Sequence, residues 1–299
     1  MLVWQINLCL KLWRKSHAVG RSIAVGIVRV VYKRQGKSPT LSDFSCQVQH
    51  VQVVERQGCI WMAGPHVSPD TIPEVGLPDF HFAGSFSELF EAPLHVALDN
   101  FSEDEHTPFI HHRLGWTPEQ ATQVEFETQN YSDHCEVHYR APQRTNLVYV
   151  RRGDCFHNDW KTYFDPPRIH YHLHWTNAAR TKHREFELFV LIYFVPETSK
   201  TTRVQSILYV KHRRLPKVLR PLTHAVAAWM VKQEVRDDAR FIRIVADTPF
   251  EMRGMKLCKF DKPLVQNHKL LKKIYWGQLE QDGDDPLANS SQQVRTAPE

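Results

Sequence analysis

The sequence predicts an α+β fold in which an antiparallel sheet is followed by one long helix near the C-terminus. Strand-like runs succeed one another between residues 123 and 212, with no helical pattern between them. A helical pattern then extends from Leu219 to Ala246, after Pro216 and Pro221 at its entry. No glycine-rich phosphate loop accompanies these runs, so alternating βαβ units and nucleotide chemistry are disfavoured. With 299 residues the chain can bury one large core or two modest ones.

The N-terminal residues 1–37 are basic, acid-free and irregularly apolar. Their composition resembles an organellar transit peptide, but two tryptophans and little serine fit an irregular N-terminus better, and both interpretations stay open. Residues 1–42 hold eight of the 38 Lys and Arg, which leaves 30 basic against 33 acidic residues beyond them. The net charge of +5 therefore does not predict a polyanionic partner such as nucleic acid.

Cysteine usage and hydropathy bear on the compartment. The six cysteines are scattered without a CxxC pair, as in proteins that keep free thiols under reducing conditions. No run of eighteen apolar residues predicts a membrane-spanning helix. We therefore expect a cytoplasmic protein without a membrane span, with organellar targeting as the alternative.

The remaining elements are predicted from local patterns. The first clear strand pattern covers Val51–Met62, and four prolines in residues 65–78 then predict an irregular connector or domain boundary. The first part of residues 86–110 is expected to be helical, and the polar residues 278–299 predict a disordered tail. Strand-like runs follow at Gln123–Thr128, Glu136–Arg140, Leu147–Val150, Arg168–Thr176, Phe186–Pro196 and Arg203–His212.

The stretch DNFSEDEHTPFIHH, residues 99–112, combines acidic residues and histidines around a proline. On a regular helix His106 and His111 would point about 140° apart. Pro108 must kink or end the helix between them, and a distorted turn can bring both rings to one point. The stretch is therefore either half of a metal site or a frayed, solvated helix end, and by itself it leaves both open.

A carboxylate on the long helix supports the metal site. One and two helical turns from Asp238 the sequence is mostly apolar, whereas Asp237 has Arg240 as a counter-charge. An ionised carboxylate on an apolar stripe is costly unless it is paired or binds a cation. Two imidazoles and one carboxylate, with the other positions open, form the facial triad of non-haem Fe(II) oxygenases.

Four segments carry a resemblance to Rieske-type non-haem iron oxygenases, over residues 44–277. DNFSEDEHTPFIHH resembles the iron-binding segment of the catalytic domain, and EVRDDARFI resembles the helix that donates the third ligand. ELFVLIYFVPETSKTTRVQSILYV is similar to the central hairpin of the family. CQVQHVQVVERQGCIWMAGP is similar to the end of a Rieske domain and its join to the catalytic domain.

The resemblance implies a domain organisation and a set of functional residues. Residues 65–277 would form a helix-grip, START-like catalytic domain, preceded at 38–64 by a remnant of a β-rich Rieske domain. The iron ligands would be His106, His111 and Asp238. The acidic residue that bridges iron and electron donor would be Glu103, with Asp104 as the alternative.

The resemblance also implies an activity and partners. Mononuclear Fe(II) and O2 would hydroxylate or O-demethylate a small, aromatic substrate, as in the catabolism of aromatic compounds. Electrons would come from a Rieske [2Fe–2S] centre, in the trimers of the family from the neighbouring subunit, and ultimately from a reductase or ferredoxin. The resemblance leaves open whether the reaction is a monooxygenation or a dioxygenation.

The [2Fe–2S] cluster requires two Cys and two His ligands, written in the family as Cys-x-His and, further on, Cys-x-x-His. The segment that resembles the end of a Rieske domain has neither spacing, since three residues separate Cys46 from His50. We therefore predict that the cluster ligands are absent from this chain. The alternatives are a non-catalytic module that binds an apolar ligand in the same fold, and an inactive fragment of a longer reading frame.

RIHYHLHW places His170, His172 and His174 on one face of a predicted strand, with apolar residues on the other. Histidines two apart are separated by about 7 Å along a strand, which is too far for a compact zinc site. A role in lining a substrate cavity stays open. Ordinary surface or boundary positions are predicted for the isolated histidines His17, His81, His95, His157, His212 and His268.

Overall fold

The structure, a computed structural model, describes residues 2–3, 52–56, 59–63, 68, 72, 77–147 and 149–277. The predictions for the tail and for nearly all of the basic N-terminus lie outside these residues, and the domain boundaries remain predictions. No helix in the described part of the chain is long and apolar enough to cross a membrane.

A seven-stranded antiparallel sheet forms the centre of the molecule. Its strands are β4 (His81–Phe90), β5 (Glu125–Asn130), β6 (His134–Pro142), β7 (Cys155–Phe164), β8 (Pro167–Thr176), β9 (His183–Thr198) and β10 (Thr201–His212). Strands β5 to β10 run as a meander, and β4 pairs with β10 to give the order β4-β10-β9-β8-β7-β6-β5. A smaller sheet has the order β1-β3-β2, formed by β1 (Leu2–Val3), β2 (Gln52–Arg56) and β3 (Cys59–Ala63).

Four α-helices accompany the sheets in the described residues: α1 (Leu94–Asn100), α2 (Thr107–Ile110), α3 (Arg220–Val245) and α4 (Lys262–Leu270). Three short 3-10 turns cover Pro118–Gln123, Lys217–Leu219 and Lys259–Asp261, and a π-helical turn covers Leu271–Tyr275. Helix α3 accepts Pro221 in its first turn, where a backbone N–H has no helical partner in any case. It buries one face, which includes Val231, Val235 and Ile242, in the main core.

The two faces of the large sheet pack against different partners. The inner face carries Trp160, Ile169 and Leu188, which belong to the main core with α1 and α3. On the outer face Tyr193 packs against Trp61 of the small sheet, with ring centroids 5.0 Å apart. Side chains alternate between the faces along each strand, so any site on the inner face is screened from the outer one.

The predicted fold class is confirmed, and the long helix lies within one residue of its predicted ends. The prediction of a helix at the start of residues 86–110 is wrong, because Phe86 lies in β4 and the helix begins only at Leu94. Phe86 and Phe90 are both buried and four residues apart, which imitates a helical stripe. Both residues instead lie on one face of β4, which pairs with β10, and their side chains belong to the main core.

Two further strand predictions are corrected. Leu147 and Val150 exchange both backbone hydrogen bonds, at 2.9 and 3.1 Å, so their segment is a tight turn and not a strand. Strand β7 was missed because its inward positions include Asn158 and Thr162, which hide the alternation of apolar residues. The pattern at Val51–Met62 forms two paired strands, β2 and β3.

Candidate metal centre

The ligand segment, residues 99–112, is shaped by a very short helix. Helix α2 has four residues, with His106 before its first residue and His111 after its last. Pro108 stands in its first turn, and the backbone at His111 is already extended. Arg144 holds this turn by donating to the carbonyls of Pro108, at 3.2 Å, and His111. The chain therefore reverses within one turn, and the two imidazoles face each other.

His106 and His111 meet Asp238 from helix α3 at one point. The two Nε2 atoms are 3.2 Å apart, and Asp238 Oδ1 lies 3.3 Å from His106 Nε2 and 3.2 Å from His111 Nε2. All three residues are buried or nearly so. We call this arrangement the ligand triangle.

The ligand triangle has the dimensions of a divalent metal site. Metal–ligand bonds of about 2.1 Å at right angles place neighbouring ligand atoms about 3 Å apart. The observed separations of 3.2 to 3.3 Å agree with that value. Asp238 Oδ1 is buried and accepts no hydrogen bond of good geometry from the described residues, as expected of an oxygen reserved for an ion. The donor set therefore fits a three-ligand site for Fe(II).

A glutamate lies behind each imidazole. Glu103 Oε1 contacts His106 Nδ1, and Glu234 Oε2 lies 2.8 Å from His111 Nδ1. Arg113 Nη1 donates to the other oxygen of Glu234 at 3.3 Å. A carboxylate behind a ring fixes the proton on Nδ1 and leaves the Nε2 lone pair for a metal. The sequence analysis missed Glu234, although its position one turn before Asp238 places both on one helix face.

Electrostatics at the ligand triangle favour positive charge. Burial opposes the imidazolium of His111, yet Asp238 and Glu234 outweigh it and raise its pKa to about 9. Burial likewise opposes the imidazolium of His106, but Glu103 and Asp238 raise its pKa well above the usual value. For Asp238 burial opposes ionisation, and the two imidazoles nevertheless hold its pKa far below the ordinary range. This field would attract a cation to the same point.

The acidic neighbours of the ligand triangle have different roles. Asp104 is buried, and its two oxygens accept hydrogen bonds from Thr107 Oγ1 at 2.8 Å and Trp116 Nε1 at 2.6 Å. Burial raises the pKa of Asp104 to about 6 despite these hydrogen bonds. Asp237 accepts from Arg240 at 2.9 Å, whereas Asp238 is only 4% exposed. The predicted assignment of the two helix faces is confirmed.

One isolated histidine is not the surface residue that was predicted. His268 on α4 is buried, and its Nε2 lies 2.7 Å from Asp99 Oδ2, while Nδ1 lies 2.9 Å from the carbonyl of Phe250. Asp99 is the first residue of the histidine-bearing stretch. The ion pair therefore anchors the start of the ligand segment to α4.

A cavity of about 120 Å³ adjoins the ligand triangle on the inner face of the large sheet. Its lining includes Phe101, Leu114, Phe156, Asn158, Trp160, Tyr171, Leu173, Val190, Ile192, Val231 and Val235, together with the three triangle residues. The lining of β8 comes from Tyr171 and Leu173, so the alternative that His170, His172 and His174 line the cavity is wrong. Those histidines lie on the opposite face of β8.

The two spacings of a Rieske cluster do occur outside the N-terminal region, which the sequence analysis overlooked. Cys155 and His157 form Cys-x-His, and Cys135 and His138 form Cys-x-x-His, in the reverse of the family order. Cys155 pairs with Pro142 and Cys135 with Thr162, so the cysteines are seven residues apart along the ladder, or about 23 Å. These four residues cannot hold one cluster.

Comparison with known proteins adds the fold family. No family model matches the sequence, and no curated protein sequence matches it. Dicamba monooxygenase bound to 3,6-dichlorosalicylic acid matches with a TM-score of 0.62 and 14% identity, over 83% of this chain and 75% of that one. A Pseudomonas putida CBB5 NdmA variant with caffeine matches with a TM-score of 0.53 and 15% identity, over 81% of this chain and 64% of that one. The chain therefore shares its fold with these two proteins, and the likeness extends to the fold alone.

Proposed function

We propose that this chain is the catalytic domain of a Rieske-type non-haem iron oxygenase, which hydroxylates or O-demethylates a small, aromatic substrate. The observation that supports it most is the ligand triangle of His106, His111 and Asp238 at the end of a cavity of about 120 Å³. The fold that the chain shares with dicamba monooxygenase is consistent with an oxygenase reaction.

Each residue has a defined task in the proposed site. Fe(II) bound by the triangle would supply the activation of O2. His106 and His111 bind through Nε2, and Asp238 contributes the balancing charge. Glu103 contacts the ring of His106 at Nδ1, and Glu234 lies within ion-pair distance of Nδ1 of His111. The apolar walls of the cavity exclude water and position the ring of the substrate.

Electron delivery is proposed to pass by Glu103. Its carboxylate contacts His106 Nδ1 and also accepts from the backbone N–H groups of Glu105 and His106, so it is held rigidly beside the ring. The side chain is 14% exposed, which allows contact with a docked donor. The donor would be a Rieske [2Fe–2S] centre in a partner protein, reduced by a reductase.

Peroxide-driven turnover tests the proposal without any partner. Purified chain is loaded with Fe(II) under anaerobic conditions, then given hydrogen peroxide and anisole. We expect about one iron per chain and the release of phenol and formaldehyde. Unbound iron is removed by gel filtration before peroxide is added, and His111→Ala treated in the same way should retain no iron and form neither product. Iron binding without product from anisole would instead favour a non-catalytic module for apolar ligands.

A further inference from the structure

Three polar side chains in the lining of the cavity have buried atoms without hydrogen-bond partners in the described part of the chain. Neither amide atom of Asn100 is paired, and Asn158 Oδ1 and Trp160 Nε1 are likewise unpaired. Asn100 is 5% exposed and Trp160 3% exposed. Buried indole and amide groups nearly always find partners, so these atoms call for a ligand or a water molecule.

Asn158 and Trp160 occupy consecutive inner-face positions of β7. They lie opposite Leu173 and Tyr171 of β8, which also line the cavity. Residues two apart on a strand lie on the same face, about 7 Å apart at the backbone. Both unpaired atoms belong to side chains that line the same cavity, so one polar substituent between these side chains can accept from Trp160 Nε1 and donate to Asn158 Oδ1.

The charges around the cavity exclude one class of substituent. The acidic and imidazole side chains of the lining are Glu103, Asp104, His106, His111, Glu234 and Asp238, and the described lining contains no Lys or Arg. Arg113 lies outside the lining, and its Nη1 forms an ion pair with Glu234 Oε1 at 3.3 Å. The four carboxylates outnumber the two imidazoles, so a carboxylate on the ligand would add to an excess of negative charge. A neutral group that both donates and accepts meets no such penalty.

The size of the cavity limits the number of aromatic rings that a bound ligand can have. A cavity of 150 Å³ lined by apolar side chains holds one benzene in the best-studied engineered case. The present cavity, of about 120 Å³, is of similar size and is lined by Phe101, Phe156, Trp160 and Tyr171. We propose that it selects a neutral, single-ring aromatic compound whose hydroxyl or carboxamide group is bound by Asn158 and Trp160. This inference rests on the proposed function only in taking the cavity as the substrate site.

Binding of three related probes to the full chain tests this selection. Benzamide, benzoate and toluene differ in charge and in hydrogen bonding at nearly constant shape. Dissociation constants are measured by calorimetry or ligand-observed NMR at pH 7.5, with and without Fe(II) under anaerobic conditions. We expect benzamide to bind at least tenfold more tightly than benzoate and than toluene. Equal or tighter binding of either benzoate or toluene would overturn the proposal.

Two substitutions link the selection to its residues. Asn158→Leu and Trp160→Phe should each remove most of the advantage of benzamide over toluene while leaving toluene binding within about twofold. Tyr163→Phe, on the outer face of β7, is the matched control and should change neither. If benzamide still binds more tightly than toluene in both variants, the assignment of Asn158 and Trp160 is wrong. If a variant fails to fold, the probe series on the wild-type chain tests the proposal. A chain that binds benzamide in this way but takes up no iron would refute the proposed function and leave this inference standing.

Discussion

Two groups of histidines in this molecule look alike in sequence but differ in environment. His106 and His111 face each other on the inner side of the sheet, with Nε2 atoms 3.2 Å apart. His172 and His174 lie side by side on the outer face of β8, with ring centroids 5.1 Å apart, and His174 also stacks on His157 at 4.4 Å. Among the described residues only the inner pair belongs to a group of potential ligands within reach of one ion.

Carboxylates explain the difference between the two groups. On the outer face burial lowers the pKa of His170 and of His174 to about 3 each, and positive neighbours such as Arg168 and His157 add to it. At the ligand triangle burial acts in the same direction, but Asp238, Glu103 and Glu234 reverse its effect. A cluster of imidazoles thus becomes a candidate metal site when acidic residues from other parts of the chain meet it.

The largest expected effect comes from removing the carboxylate of the triangle. Asp238→Ala should abolish iron binding, because two imidazoles alone retain too little affinity. Asp237→Ala should retain about one iron per chain, since Asp237 pairs with Arg240 outside the triangle. Iron per chain after anaerobic reconstitution is the measurement, with circular dichroism to check the fold. An empty site in Asp237→Ala and a filled one in Asp238→Ala would invert our assignment.

Substitutions of the two glutamates behind the imidazole rings should affect different properties of the site. Glu103→Gln should keep iron and peroxide-driven turnover but suppress turnover driven by a Rieske donor and its reductase, because the bridge to the donor is lost. Glu234→Gln should weaken iron binding about tenfold, since the carboxylate that orients His111 is lost, and lower both activities together at limiting iron. Iron titration and both turnover assays are run on each variant. Equal loss of both activities in Glu103→Gln, with iron retained, would remove Glu103 from the electron route.

The smallest effect concerns the outer histidines. The folded-state pKa of His174 is about 3 against 6.5 for the free group, so the unfolded chain binds the extra proton between these pH values. Its contribution to stability is therefore complete above about pH 6.5 and falls as the pH drops toward 3. His174→Gln should flatten the decrease in the free energy of unfolding between pH 6.5 and 4, measured by urea denaturation. It should leave iron binding unchanged, and loss of iron would contradict the separation of the two faces.

Local sequence patterns predicted much of the fold. The strands that they missed depend on pairing with a distant strand or have polar residues at buried positions. Helix α3 and strands β8 to β10 were predictable because their apolar residues follow the period of the element. Strand β4 was not, because its partner β10 lies more than 100 residues further along the chain. Strand β7 was not, because polar residues at its inward positions, such as Asn158 and Thr162, hide the alternation of apolar residues. At the site, Pro108 and the burial of Asp238 pointed to the triangle. Glu234 escaped because its importance depends on where His111 lies, which no local pattern encodes.

The contact between the ligand segment and α3 has a mechanical consequence. An ion held by His106 and Asp238 would link residues 132 positions apart in sequence, from 238 − 106. Such a link acts as a reversible cross-link that closes a long loop of the chain and reduces the freedom of its unfolded state. Loading the site with metal would therefore tie most of the sheet into one cooperative unit, so that catalytic competence and resistance to unfolding rise and fall together.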